Sequence, residues 1–165
     1  DNTVTLNNIN NAEIRRNIAT GKEDIRLVGG KAAVIEFDLT VNKKGNNMLA
    51  GMWFKEANGL TCRSYLLGNT QFGFSGWDYW GGCTSIGAAA ELPGSLDNAE
   101  GVALTVKVER LEKTEGSDVV YTIQIDDARG TWTWDNFESD MIISFCAVNS
   151  NVTVSNITIT YPNEA

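Results

Sequence analysis

Alternation of apolar and polar residues is the dominant pattern of the chain. Residues 34–41 place Ile35, Phe37 and Leu39 between polar neighbours, and residues 102–110 and 121–126 repeat this period of two. Such alternation predicts antiparallel strands that bury one face in a core. Further strands are predicted at 4–9, 49–55, 61–67, 71–75, 142–148 and 152–161.

Breaks in the alternation predict where these strands turn or become irregular. The run Lys43-Lys44-Gly45-Asn46 predicts a turn. In the last strand the apolar positions shift phase between Val154 and Ile157, which predicts a β-bulge at Ser155-Asn156. Helical character is confined to one turn at 88–92, which Pro93-Gly94 would end. Nine or ten strands in 165 residues predict an all-β fold, a two-sheet antiparallel β-sandwich or jelly roll, with 1–165 as a single domain.

Charge and composition exclude several classes of function. The formal net charge of −8 argues against nucleic acid and anionic membrane surfaces as partners, because both attract clustered Lys and Arg. No apolar run reaches the roughly 18 residues that a membrane-spanning helix needs. The chain has no histidine and no C-x-x-C pair, which excludes a Cys/His metal site.

Because the chain has three cysteines, at least one of them cannot form an intramolecular disulfide. A disulfide between Cys62 and Cys83 would hold a glycine-rich segment, with free thiols as the alternative, and sequence spacing does not decide between them. Cys146 stands in an apolar run and is predicted to be a small buried side chain.

The first candidate binding segment is Phe74-Ser75-Gly76-Trp77-Asp78-Tyr79-Trp80-Gly81-Gly82. It is too rich in glycine for an ordinary core strand, and its aromatic rings suit the C–H face of a sugar. The alternative is that the segment folds onto itself. Gln71 precedes it on a strand in which Gly73 leaves room for a ligand. Trp53, between Met52 and Phe54, is expected in the core.

The second candidate segment is Trp132-Thr133-Trp134, and its role depends on strand register. If residues 128–130 form a three-residue hairpin loop, Trp132 faces Asp126, Trp134 faces Gln124, and both indoles stand on the polar face. A loop of even length reverses this result and turns both tryptophans toward the core. The first register is the one predicted here.

A catalytic role would have to rest on carboxylates, because the absence of histidine excludes a Ser-His-Asp or Cys-His arrangement. Glu36-Phe37-Asp38 resembles the start of the Glu-x-Asp-x-x-Glu motif of laminarinase-like hydrolases, but no glutamate completes it. The chain is therefore predicted not to be an enzyme.

Three stretches together resemble a carbohydrate-binding module of the β-sandwich type, the non-catalytic appendage of plant cell-wall hydrolases. They are residues 104–110 with 121–126, the Trp132-Thr133-Trp134 cluster, and residues 147–159. The resemblance implies an extracellular module excised from a larger enzyme and linked there to a catalytic domain or scaffold, and we expect the chain to be a monomer. It implies no cofactor, and it is compatible with a structural calcium ion that the sequence does not locate.

The expected ligand is a plant β-glucan such as cellulose chains, mixed-linkage glucan or xyloglucan. Alternatives are a laminin-G-like or lectin-like adhesion domain that binds a protein, and a small jelly-roll glycosidase. The predicted ligand-binding residues are Trp77, Tyr79, Trp80, Trp132, Trp134, Gln71, Gln124 and Asp126.

Overall fold

Strands make up all the regular structure in the described residues. The computed structural model describes residues 3–7, 18–56, 61–67, 71–72, 90–91, 100–101, 103–111, 119–125, 128–134 and 140–162. The ten strands are β1 (Val4–Asn7), β2 (Ile18–Leu27), β3 (Ala33–Glu56), β4 (Thr61–Leu67), β5 (Gln71–Phe72), β6 (Ala90–Glu91), β7 (Ala103–Arg110), β8 (Val119–Ile125), β9 (Ala128–Trp134) and β10 (Met141–Thr160). All pairings between them are antiparallel, which confirms the predicted fold class.

Two long strands, β3 and β10, run side by side through the whole domain. Their pairing extends from Met141↔Glu56 to Thr160↔Val34, with register shifts around Ser150. The predicted turn at Lys43-Lys44-Gly45-Asn46 is therefore wrong, since Lys43 and Lys44 pair with Asn151 and Ser150 instead of reversing the chain. Extra residues on the β3 side are accommodated as bulges, which bend a strand pair without ending it.

The bend divides the domain into two packed layers. The first layer contains 33–41 of β3 and 150–160 of β10, with β1, β7, β8 and β9; the second contains 49–56 and 141–148, with β2, β4, β5 and β6. The rings of Phe37 and Phe145, one from each layer, meet edge to face with centroids 5.1 Å apart. Because their strand segments do not pair, this contact shows that the layers face one another across the core.

Alternate residues of every well-described strand fill that core. In the first layer the buried positions include Ile35, Leu39, Val106 and Val108, and in the second they include Ile143. Each has at least one polar neighbour in sequence, as a period of two favours. Burial of these side chains is the main force that holds the layers together.

The bulge predicted in the last strand is confirmed. The register of β10 against β3 shifts between Ser155 and Thr158, and Asn156 has a φ of 54°. Asparagine is one of the few residues that tolerates this left-handed conformation. Its Nδ2 donates a hydrogen bond to Oδ2 of Asp38 at 2.7 Å, which ties the bulge to β3.

Two elements differ from the sequence prediction. Strand β2 was not predicted, because residues 18–24 show no alternation; its position is set by pairing with β10. Residues 90–91, placed by the sequence in a helical turn, form β6 and pair with β5. In both cases a cross-strand partner overrides the local pattern.

The connection between β2 and β3 is held by side chains from other strands. The guanidinium of Arg110, 1% exposed, donates hydrogen bonds to the carbonyl oxygens of Val28 and Lys31. The Val28 N–H donates to the Tyr161 hydroxyl at 3.0 Å, and the Gly29 N–H donates to the Asp140 carboxylate at 2.7 Å. The two carbonyl oxygens bind a buried guanidinium, which would be costly to bury without hydrogen bonds. The bonds from the Val28 and Gly29 N–H groups, which are exposed or half-buried, fix the position of the turn.

Candidate functional site

The two ends of the strand path meet at one edge of the sandwich. The path runs β6-β5-β4-β3-β7-β8-β9, and its end strands β6 and β9 approach within 8 Å between Cα atoms. This happens because β4 and β7 occupy successive parts of the same edge of β3. We call the region of β5, β6, β9 and the β8 end next to it the closing edge.

All the residues predicted to bind ligand belong to segments that start or end at the closing edge. Gln71 lies in β5 and pairs with Glu91 of β6. The segment 73–89 leaves β5 and returns at β6; its Trp77, Tyr79 and Trp80 lie outside the described residues. Asp126 also lies outside them, between β8 and β9. The topology therefore brings the attachment points of both aromatic segments together.

The predicted register of the β8–β9 hairpin is wrong. Ile125 pairs with Ala128, so the connection has the two residues 126–127 instead of the predicted three-residue loop at 128–130. Trp132 consequently pairs with Tyr121 and Trp134 with Val119. This is the face of Ile123 and Ile125, whose partners in β7 are the buried Val108 and Val106.

In the observed register, the two tryptophan positions and Gln124 lie on opposite faces of the first layer. Gln124 pairs with Arg129 and Lys107, on the opposite face of the first layer. Positions 132 and 134 therefore belong to the core side of β9 and do not share a face with Gln124, contrary to the predicted register. Their assignment to the site stays a prediction, supported now only by the place of β9 at the closing edge.

Gln124 belongs to a polar row that crosses five strands on the outer face of the first layer. Successive register partners along it are Thr158, Glu36, Lys107, Gln124 and Arg129. At about 4.8 Å between strands, the row is about 19 Å long. Carboxylate, ammonium and amide groups at this spacing suit the hydroxyls of a sugar chain. Lys107 and Arg129 were not predicted as site residues from the sequence, and the place of Arg129 in the row follows from its pairing with Gln124.

The charges of this outer face are mixed, with an excess of carboxylates in its described part. Nζ of Lys107 and the Glu109 carboxylate form an ion pair at 3.3 Å, and Asp38 accepts the hydrogen bond from Asn156. Glu36 is exposed. Thr122, at 4% exposed, is buried on this same side, so the face is not uniformly solvated.

The described residues include two of the three cysteines, Cys62 and Cys146. Cys83 lies outside the described residues, so the Cys62–Cys83 disulfide stays a prediction. Cys146 pairs with Gly51 and alternates with the buried Phe145 and Ala147, so its position belongs to the outer face of its layer, and the predicted burial of its side chain stays a prediction. Within the described ranges no three His, Cys, Asp or Glu residues group as a metal site, and calcium stays unlocated. No helix in this part of the chain is long and apolar enough to cross a membrane.

Comparison with known proteins establishes the fold. No protein-family model and no curated protein sequence matches the chain. Among solved structures, the chain is similar to the carbohydrate-binding module CBM66 from Bacillus subtilis, with 16% identity, a TM-score of 0.52, and 96% of this chain and 94% of that chain covered.

Two enzymes show comparable similarity. An alginate lyase from Alteromonas sp. 272 has 13% identity and a TM-score of 0.52, with 97% of this chain and 87% of that chain covered. A mixed-linkage-glucan GH16 enzyme from Bacteroides ovatus has 14% identity and a TM-score of 0.53, with 87% and 80% covered. At these identities the likeness shows a common β-sandwich fold and no more.

These enzymes overturn the conclusion that the chain is not an enzyme. That conclusion relied on the absence of histidine and on the incomplete carboxylate motif, but the fold found here is equally that of a lyase and a glycoside hydrolase. The missing histidine excludes only those mechanisms that need one.

Proposed function

We propose that the chain binds a polysaccharide at the closing edge, and that the polysaccharide is a plant cell-wall β-glucan. The observation that carries this proposal is the approach of β6 to β9, which joins the attachment points of the two aromatic segments. Trp77, Tyr79 and Trp80 would stack on sugar rings, while Gln71, Gln124 and Asp126 would bond hydroxyl groups. Trp132 and Trp134 are retained as candidates by position alone.

The charge on the neighbouring outer face favours a neutral ligand. In its described part, the three carboxylates Glu36, Asp38 and Glu109 outnumber the two cations Lys107 and Arg129, and the whole chain has a net charge of −8. A polyanion at this face would meet a repulsive field, whereas a glucan carries no charge. Cellulose chains, mixed-linkage glucan and xyloglucan all meet this requirement.

The solved structures add support of a weaker kind. One of the similar structures is named as a carbohydrate-binding module, and another is a mixed-linkage-glucan enzyme with its product bound. Because a fold can host unrelated functions, the site residues have to decide the matter. With this ligand we also propose an extracellular, monomeric protein linked to a catalytic domain.

Affinity electrophoresis tests the proposal directly. The chain is run through gels that contain hydroxyethylcellulose, barley mixed-linkage glucan or xyloglucan, and at least one of them is expected to retard it. Trp77→Ala should lose at least about tenfold in affinity, because a stacked ring at a binding site is worth about 2 kcal/mol. Failure of all three neutral glucans to retard the chain would overturn the proposal.

A pair of polar variants locates the ligand on the first layer. Gln124 lies near the closing edge. The variant Gln124→Ala should bind about fivefold more weakly, which corresponds to the loss of about one hydrogen bond. Thr5→Ala is the matched control, since Thr5 is exposed on β1 at the opposite edge of the same layer. Release of soluble oligosaccharides, measured in the same samples, determines whether the bound chain is also cleaved.

A further inference from the structure

The outer face of the second layer brings two aromatic and two cationic residues together on adjacent strands. In the pairing of β3 with β4, Trp53 lies opposite Arg63, Gly51 opposite Tyr65, and Lys55 opposite Thr61. We call Trp53, Lys55, Arg63 and Tyr65, with Gly51, the β3–β4 platform. Cross-strand and diagonal positions of this kind lie about 4.5–8 Å apart.

The register assigns the platform to the side away from the core. Phe54 and Met52, which alternate with its β3 residues, pair with Ile143 and Phe145, and both of these are fully buried. Trp53 was expected in the core from its apolar neighbours. Because successive residues of a strand belong to opposite faces, its position is on the outer face.

The platform is cationic in an acidic protein. Its paired positions include Lys55 and Arg63 but no carboxylate. The next cation along the same face, Arg26, pairs with Ile142 and is already engaged by Asp140 at 3.4 Å. Glu23 and Asp24 fall in the irregular stretch of β2, which is separated from the platform by β10. The charge of the platform positions is thus positive, whereas the net charge of the whole chain is −8.

We propose that the β3–β4 platform binds a polysaccharide that carries carboxylate groups, a uronate chain. The complementary charge selects this class of ligand, since Arg63 and Lys55 match carboxylates and a guanidinium binds them in bidentate geometry. Trp53 and Tyr65 supply rings for the sugar faces, and glycine at 51 leaves open the position opposite Tyr65. This site is separate from the closing edge and takes a different ligand.

Calorimetric titration of the full chain with a galacturonate hexamer tests this site. The hexamer should bind at low salt, and Arg63→Gln should weaken it by about tenfold or more, because a hydrogen bond to a charged group is lost. Lys43→Gln is the matched control, as it removes one exposed cation from β3 well away from the platform; the affinity of this variant should stay within about twofold of the wild type. If Arg63→Gln fails to fold by circular dichroism, Lys55→Gln replaces it with the same expectation.

The neutral hexamer cellohexaose separates this proposal from the previous one. The affinity of the protein for cellohexaose should not change in Arg63→Gln, since the proposed glucan site is at the closing edge. Absence of galacturonate binding, or equal losses in Arg63→Gln and Lys43→Gln, would overturn the platform assignment whatever cellohexaose does. Galacturonate binding without cellohexaose binding would support the platform and count against the glucan site.

Discussion

The outer faces of the two layers are built from the same two long strands and yet differ in chemistry. Residues 34–40 of β3 contribute Glu36 and Asp38 to the first layer, and residues 51–55 contribute Trp53 and Lys55 to the second. The first face is polar with mixed charge; the second is aromatic and cationic. A bent strand can therefore supply two separate surfaces while one continuous core holds them apart.

The largest expected effect comes from breaking the core that joins the two faces. Phe37→Ala should cost about 3–5 kcal/mol in the free energy of unfolding, because Phe37 is 2% exposed and its ring meets Phe145 across the layers. Denaturant titration measures the loss. The double variant Phe37→Ala/Phe145→Ala should show a coupling of about 0.5–1.5 kcal/mol, and strict additivity would contradict a direct contact between the layers.

Two tryptophans sharpen the comparison, because the register places them on opposite sides of their layers. Trp132→Ala should lower the free energy of unfolding by about 3 kcal/mol, since its register position is on the core side. Trp53→Ala should cost less than about 1 kcal/mol, as surface substitutions do, while it weakens galacturonate binding. Thermal denaturation of both proteins decides the matter; a stable Trp132→Ala protein would refute the corrected register.

Ionic strength should affect the two binding affinities differently. Galacturonate binding to the platform should weaken by about tenfold between low salt and 1 M, where the Debye length falls to about 3 Å. Binding of a neutral glucan at the closing edge should change by less than about twofold, because no ion pair forms there. Equal salt dependence for both ligands would mean that the charge difference between the faces does not select the ligand.

The smallest expected effect concerns the bulge beside the first outer face. Asn156→Ala should cost about 1–2 kcal/mol, because alanine disfavours a φ of 54° and cannot donate to Asp38. Asn156→Gly keeps the backbone conformation and loses only the hydrogen bond, so it should cost about 1 kcal/mol or less. Denaturant titration compares the two; a larger loss for glycine would exclude the conformational explanation.

The sequence predicted well what depends on neighbours along the chain. Alternation identified the strands around Phe37 and Val106 and the side of each that is buried, because a residue's face follows from its strand period alone. The strand around Ile143 was predicted without its buried side. The phase shift at Ser155-Asn156 identified the bulge for the same reason. The strand β2 has no such pattern and was missed.

Pairing between strands was decided only in the tertiary structure. The hairpin loop length determines whether Trp132 shares a face with Gln124 or with Tyr121, and a shift by one residue reverses every side chain. Trp53 has apolar neighbours in sequence, and only the pairing of Met52 and Phe54 with the buried Phe145 and Ile143 assigns position 53 to the outer face. Composition and periodicity thus determined that this chain is a β-sandwich with two clusters of aromatic residues. Which aromatic positions belong to a surface was determined by register, because it depends on hydrogen bonds between residues far apart in the sequence.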